Sequence, residues 1–349
     1  MRILQVILKN FRNYKEAEFE PEVKTVVYGS NGSGKSNLLE AIYLAATGKS
    51  FRAERDDEMI RYGEKFSILN FQFLNNSQIF NFQITLTDGS IGVTRKKFEV
   101  NGIPKRMVDF AGRLRAVLFG PQDIELVTGN PSGRRRYLDF VIFQTDREYR
   151  RCHLSYEKGL RQRNKLLDFI RDGAAGRNQL FFWDKLLIKN GEYITQKRTE
   201  YIEFLNGFKE AGGQRYKVEY DKSLISQVRL EQYAQEEIAA GNTLVGPHRD
   251  DFVIKIQNDW KDVSKYGSRG EQRMAVLWLK LGELKFLSED VQQPVLLLDD
   301  IFSELDHKHR REIEIEIESL VEKGGQVIMT TADEHLVPTD GWNIIKLPI

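Results

Sequence analysis

The chain has 349 residues, with 52 Lys and Arg against 51 Asp and Glu, 41% hydrophobic residues and one cysteine. That balance excludes a disulfide-stapled scaffold and the apolar-poor, highly charged composition of disordered chains. No apolar run reaches the roughly 18 residues of a membrane span, and MRILQVILKNFRNY lacks the features of a secretory signal, so a cytoplasmic protein with no membrane association is expected.

In chain order, RILQVILKNF, EAEFEP and KTVVYG read as short strands. KTVVYG runs into a glycine cluster, after which SNLLEAIYLAATG sets Leu38, Leu39, Ile42 and Leu44 at helical spacing and closes on Gly48. FSILNFQF, SQIFNFQITLTDG and GVTRKKFEVNGIP alternate apolar and polar residues between turn residues, as an antiparallel meander does. From about Ser132 to Glu237 apolar residues recur at three- and four-residue intervals, which predicts a packed helical arm. Between Ser132 and Lys165 that arm carries ten basic residues and four acids, whereas Asp299 to Glu322 holds nine acids against three basic residues.

The β/α pattern then returns with DFVIKIQ, a helix through RMAVLWLKLGELKFLSE, the strand PVLLLDD, a further helix and the strand QVIMTTA. REIEIEIESLVEKGG alternates like a strand, but Ile313, Ile317, Leu320 and Val321 also share one helical face. Helix is preferred, because Gly324 and Gly325 form a stop and a parallel sheet needs a crossover there. The expected organisation is an N-terminal lobe over 1–119, a mainly helical insert over 120–240 and a C-terminal lobe over 241–349.

Gly29, Ser30, Asn31, Gly32, Ser33, Gly34, Lys35 and Ser36 match GxxxxGK[ST] between a predicted strand and a predicted helix, with Asn37 next in line. Glycines let such a loop wrap backbone N–H groups around phosphate oxygens, and the helix aims its positive dipole end at the same charge. Lys35 is expected to reach the β and γ phosphates, and the Ser36 hydroxyl to ligate Mg²⁺. The apolar strand Val295–Leu298 ends in Asp299, expected to hold the Mg²⁺ through water, and Asp300, expected to act as general base.

Ser268-Arg269-Gly270-Glu271-Gln272 looks like the SxGxQ signature of ABC ATPases, and 264 residues separate Lys35 from Asp299 (299 minus 35). With FRNY (Phe11 to Tyr14), GKSFR (Gly48 to Arg52), GPQDIELVTGNPSGRRRYLD (Gly120 to Asp139), GPHRDD (Gly246 to Asp251) and LLLDDIFSELD (Leu296 to Asp306), the whole chain resembles the RecF family of bacterial recombinational-repair ATPases. The resemblance implies an α/β, ABC-type P-loop ATPase head with an antiparallel β subdomain and an inserted α-helical arm.

It further implies that ATP is sandwiched in a homodimer, with Ser268 and Gly270 of one chain facing the loop of the other, and Arg269 and Asp306 at the same interface. Arg12, Asn13, Gln122 and Thr331 are the further nucleotide contacts it suggests, Gln122 also sensing Mg²⁺. Slow hydrolysis would reset the dimer. The implied partners are double-stranded DNA, gapped or single-strand/double-strand junction DNA, and the mediator RecR with RecO, in DNA replication, repair and the SOS response near the nucleoid. Arg52, Arg134, Arg135, Arg136, Arg150, Arg151, Arg161 and Arg163 are the expected DNA-binding residues, meeting phosphates without reading bases. A transporter-type ABC subunit and a non-enzymatic, nucleotide-dependent DNA scaffold are the alternatives.

Overall fold

The computed structural model describes residues 1–91, 95–208, 215–257, 260–288, 293–304, 307–337 and 341–348, with backbone alone at 91, 95, 303, 304, 307–309 and 312. The first elements are β1 (Arg2–Phe11), β2 (Tyr14–Phe19), β3 (Lys24–Tyr28) and α1 (Lys35–Thr47). Next come β4 (Phe66–Asn75), β5 (Gln78–Thr87), β6 (Arg95–Val100), β7 (Ile103–Lys105) and β8 (Ala116–Phe119). The helices α2 (Pro131–Thr145), α3 (Arg147–Arg171) and α4 (Phe181–Gly207) precede β9 (Tyr216–Asp221), β10 (Asp251–Ile256) and β11 (Lys261–Asp262). The last elements are α5 (Arg269–Leu287), β12 (Val295–Asp299), α6 (His307–Glu322), β13 (Gln326–Thr331) and β14 (Asn343–Lys346).

The chain forms two compact units, Met1–Asp123 with Lys280–Ile349, and Ile124–Leu279. In the first, a parallel sheet of order β14-β3-β13-β12-β8 lies beside an antiparallel sheet of order β2-β1-β4-β5-β6-β7 in the same unit. Every residue of β12 and β13 is buried, as expected of inner strands covered on both faces, and the unbroken apolar stretches VLLL of β12 and VIM of β13 follow from that. β4 alternates buried and half-buried positions along its length, the period of a sheet with one covered face. α6 is helical as predicted: Ile313, Ile317 and Leu320 are buried, while Ile315, on the other side, is half exposed.

The second unit holds α2, α3, α4 and an antiparallel sheet of order β11-β10-β9. β9 falls inside the segment read as helical. Its sequence YKVEYD alternates, Tyr216 and Val218 are buried, and Val218 pairs with Ile254 of β10. That pairing joins residues on either side of 240, so 241–279, read from sequence as the start of the C-terminal lobe, packs within the second unit.

Candidate functional site: a phosphate-binding loop backed by an acidic strand end

The loop between β3 and α1 takes positive φ at Gly32 (85°) and Gly34 (112°). A Cβ on Gly34 would lie 2.6 Å from the Tyr14 hydroxyl, so the position excludes any side chain. Gly34 is also the N-cap of α1, with no capping side chain and no acid in the first turn. The free N–H groups at that end are therefore open to an anion. Ser33 Oγ is buried without a partner, a polar atom that a phosphate oxygen would satisfy.

Lys35 is buried, and its Nζ donates to the carbonyls of Gly29 (2.7 Å) and Ser30 (3.0 Å). Burial pulls its pKa down, against the charges of Asp300 and Asp299, which favour the ammonium.

The FRNY turn buttresses this loop from behind. Tyr14 donates its hydroxyl to Gly34 O (2.9 Å), and Asn13 donates to Ser33 O (3.1 Å) while accepting from Asn37 Nδ2 (2.8 Å). Arg12 makes a two-pronged pair with the fully buried Glu40 (2.8 and 2.6 Å) and donates to Glu58 O. Its guanidinium is thus committed to holding the turn. Arg52, expected on a DNA surface, donates to Asn37 Oδ1 (3.0 Å) in the first turn of α1, which places it with the loop.

Asp299, at the carboxyl end of β12, is buried, and its Oδ1 accepts from Ser36 Oγ (2.9 Å) and Thr330 Oγ1 (2.7 Å). Thr330 reaches it because β12 and β13 run parallel with Asp299 in register opposite Thr330. Thr331, the residue named from sequence, takes the Asp333 N–H on its hydroxyl instead (3.1 Å). Thr330 is therefore the threonine that sequence reasoning failed to place at the site, and the register of the two parallel strands is the signal that finds it.

Asp300 adopts φ 51° and donates its N–H to Thr330 O (3.1 Å). Beside this strand end, a Cβ on Gly120 would meet Asp299 Cβ at 3.3 Å, and Gly120 N–H donates to Asp123 (2.9 Å). Gln122, between them, is exposed. A hydroxyl and a carboxylate next to an open helix terminus fit a phosphate chain with a small hard cation, which favours oxygen donors of this kind.

At the start of α5, in the second unit, Ser268 and Glu271 form a capping box. The Ser268 N–H and hydroxyl both donate to Glu271 (2.7 and 2.8 Å), and Glu271 N–H returns to Ser268 Oγ (3.3 Å). These bonds hold the Glu271 carboxyl below its usual range. Ser268, Arg269 and Gly270 are exposed. Asp306 lies outside the described residues.

Residues 2–343 match the model of the RecF/RecN/SMC N terminal domain family. A curated DNA replication and repair protein RecF from Halalkalibacterium halodurans is 37% identical over 330 residues, covering 88% of this chain and 87% of that one. The chain belongs to the RecF family. A solved structure of the recombination mediator protein RecF with ATP, in the RecFOR pathway, superposes with a TM-score of 0.87 at 31% identity, covering 98% of this chain and 94% of that one. An SMC head bound to the C-terminal winged-helix domain of ScpA shares the fold (TM-score 0.53, 17% identity, covering 96% and 90%). The ABC-type head with its antiparallel sheet and helical insertion is thus the RecF architecture.

The basic segment of this chain departs from expectation. Arg134 is buried in a two-pronged pair with Asp251 (2.7 and 2.9 Å). Arg163 is buried against Asp184 (2.7 Å) and Glu237 (2.8 Å), and Arg150 is buried, donating to Phe143 O. The three are corrected from DNA contacts to internal struts, because their charge is already neutralised or bonded inside the second unit. Arg135 is half-buried on Asp250 O (2.7 Å). Arg136, Arg151 and Arg161 are the exposed members, Arg151 lying against Glu148.

At the centre of this network Arg198, 3% exposed, binds Asp139 (2.8 Å), Asp250 (2.9 Å) and Pro247 O (2.7 Å). Burial disfavours the Asp139 carboxylate, yet Arg198 and His153 outweigh it and hold the carboxyl well below its usual range. GPHRDD therefore marks a buried ionic hub.

Proposed function

We infer that the chain is an ATP-binding DNA replication and repair protein that hydrolyses ATP, closes as an ATP-dependent homodimer on duplex DNA near single-stranded gaps, and works with mediators of the RecR and RecO kind. The single observation that carries the nucleotide part is the open N-terminus of α1 with Ser36 and Thr330 converging on Asp299. Lys35 exchanges its two loop carbonyls for oxygens of the β and γ phosphates, and the N–H groups of Gly32, Gly34, Lys35 and Ser36 take the remaining charge. Ser36 and Asp299 are the residues that would hold Mg²⁺, and the bound ion supplies neutralisation of charge on the phosphate oxygens.

Asp300 sits one residue beyond the buried Asp299 and is less enclosed. It accepts the proton of the water that attacks the terminal phosphorus, as the bond to the ADP oxygen breaks. Its carboxylate is one methylene shorter than the glutamate usual in transporters of this superfamily, which suits slow turnover and a long-lived dimer. The exposed Ser268, Arg269 and Gly270 complete the pocket of the other chain, the Ser268 hydroxyl turning from Glu271 to the γ-phosphate. Gln122 lies within two residues of Gly120, at the side of Asp299, where it reports the occupancy of the pocket. Arg136, Arg151 and Arg161 supply non-specific phosphate contacts that salt weakens, and duplex DNA accelerates hydrolysis.

Titration with a fluorescent ATP analogue and a phosphate-release assay test this together. Lys35→Ala should lose roughly 100-fold or more in ATP affinity. Asp300→Asn should bind ATP normally and hydrolyse it at least roughly 100-fold more slowly, with and without duplex. Unchanged turnover in Asp300→Asn would remove the general-base assignment.

A further inference from the structure

α3 and α4 form a hairpin clamped where Arg163 meets Asp184 and where Gly159 faces Leu186, a Cβ there lying 2.6 Å from a Leu186 methyl. Beyond that clamp, towards the connecting turn, Phe169, Phe181 and Phe182 are 44%, 58% and 62% exposed. Three phenylalanines within one helical turn of a hairpin end leave about half of their surface in water, which marks a contact surface.

Each flank repeats one device. Lys165 Nζ stands 5.6 Å from the Phe169 ring centre, and Lys185 Nζ stands 4.2 Å from that of Phe181. Phe182 meets Trp183 edge-on at 4.9 Å, and Arg177 is exposed in the turn between the helices. The acids beside Phe169, Asp168 and Asp172, are both paired with Arg171 (2.9 and 3.4 Å), and the remaining cations interleaved with the aromatic rings do not suit an apolar partner surface. They suit a strand whose bases stack on the rings while its phosphates meet the ammonium groups.

We propose that the tip of the α3–α4 hairpin is a stacking platform for unpaired nucleotides of a DNA strand, built from Phe169, Phe181 and Phe182 with Lys165, Lys185 and Arg177. The proposal rests on the DNA-repair reading and adds to it the element that senses the single-stranded side of a gap. A continuous duplex hides its base faces, so this surface discriminates by exposure of the bases and not by sequence.

The test compares wild type with the triple variant Phe169→Ala, Phe181→Ala, Phe182→Ala, and with Phe181→Trp, Phe182→Trp, by fluorescence anisotropy in saturating ATP and Mg²⁺. The probes are an oligo-dT strand and a dumbbell duplex closed at both ends. The alanine variant should lose roughly 30-fold or more on oligo-dT and change less than about twofold on the dumbbell, while the tryptophan variant retains oligo-dT binding. Its ATP affinity should stay that of wild type, because none of the three rings lies in the unit that holds the loop.

Oligo-dT binding untouched by the alanine variant would overturn the platform and assign the rings to a protein contact, as would equal loss on both probes. Wild type binding the dumbbell but not oligo-dT would overturn the platform alone. Wild type binding neither would overturn the DNA reading with it.

Discussion

The loop at 29–36 and the basic stretch at 132–165 both look made for phosphate, yet they dispose of their charge in opposite ways. The loop keeps its donors available: the N-terminus of α1 is uncapped by any side chain, Ser33 Oγ is unsatisfied, and Lys35 rests on carbonyls of its own loop. The basic stretch spends much of its charge internally, with Arg134 on Asp251, Arg163 on Asp184 and Glu237, and its Asp139 on Arg198. A local count of positive residues therefore measures no surface. What separates the two regions is whether each donor has a fixed partner.

The sharpest way to break this contrast is to remove one charge from each region and measure stability. Arg198→Ala leaves Asp139 and Asp250 buried without their shared cation, and should cost about 3–5 kcal/mol in urea unfolding. Lys35→Ala should change stability by less than about 1 kcal/mol, since its Nζ hydrogen-bonds two carbonyls of its own loop. A large loss in the lysine variant, or none in the arginine variant, would erase the distinction.

A subtler effect uses two buried groups of opposite sign. Glu283, in the first unit, is pushed up to about 7 by burial, with Lys280 opposing. Its unfolded counterpart titrates near 4.5, so this carboxyl makes stability fall as pH rises from 4.5 to 7. His248, in the second unit, is pushed down to about 4 by burial, against its hydrogen bond to Thr243 O. Its unfolded value is 6.5, so this imidazole makes stability fall as pH drops from 6.5 to 4. The slopes oppose each other in the wild type. Urea midpoints between pH 4.5 and 6.5 should therefore rise with pH in Glu283→Gln and fall with pH in His248→Gln; parallel profiles for the two would refute the assignment.

The smallest effect separates the exposed arginines from the buried ones. Arg136→Glu should leave folding intact and reduce the salt dependence of duplex binding by roughly 1–2 in slope. Arg134→Glu should instead appear as lost stability.

Much of this was legible in the sequence where the determining partners are close or the period is strong. The glycine loop, the apolar strand ending in Asp299 and the helical reading of 307–322 rest on such local signals. What escaped depends on partners far along the chain: Asp251 lies 117 residues from Arg134, and Asp250 lies 52 from Arg198. The choice between Thr330 and Thr331 is a matter of strand register. β9 was overlooked for a different reason, because six alternating residues were absorbed into a long helical stretch.

Sedimentation velocity in saturating ATP and Mg²⁺, run on wild type and on Ser268→Arg, reaches the heart of the proposal. The wild type should move from 40.6 kDa to twice that mass, while Ser268→Arg binds ATP and stays at 40.6 kDa. A wild type that keeps the monomer mass in ATP, or a Ser268→Arg variant that doubles equally, would contradict the shared pocket.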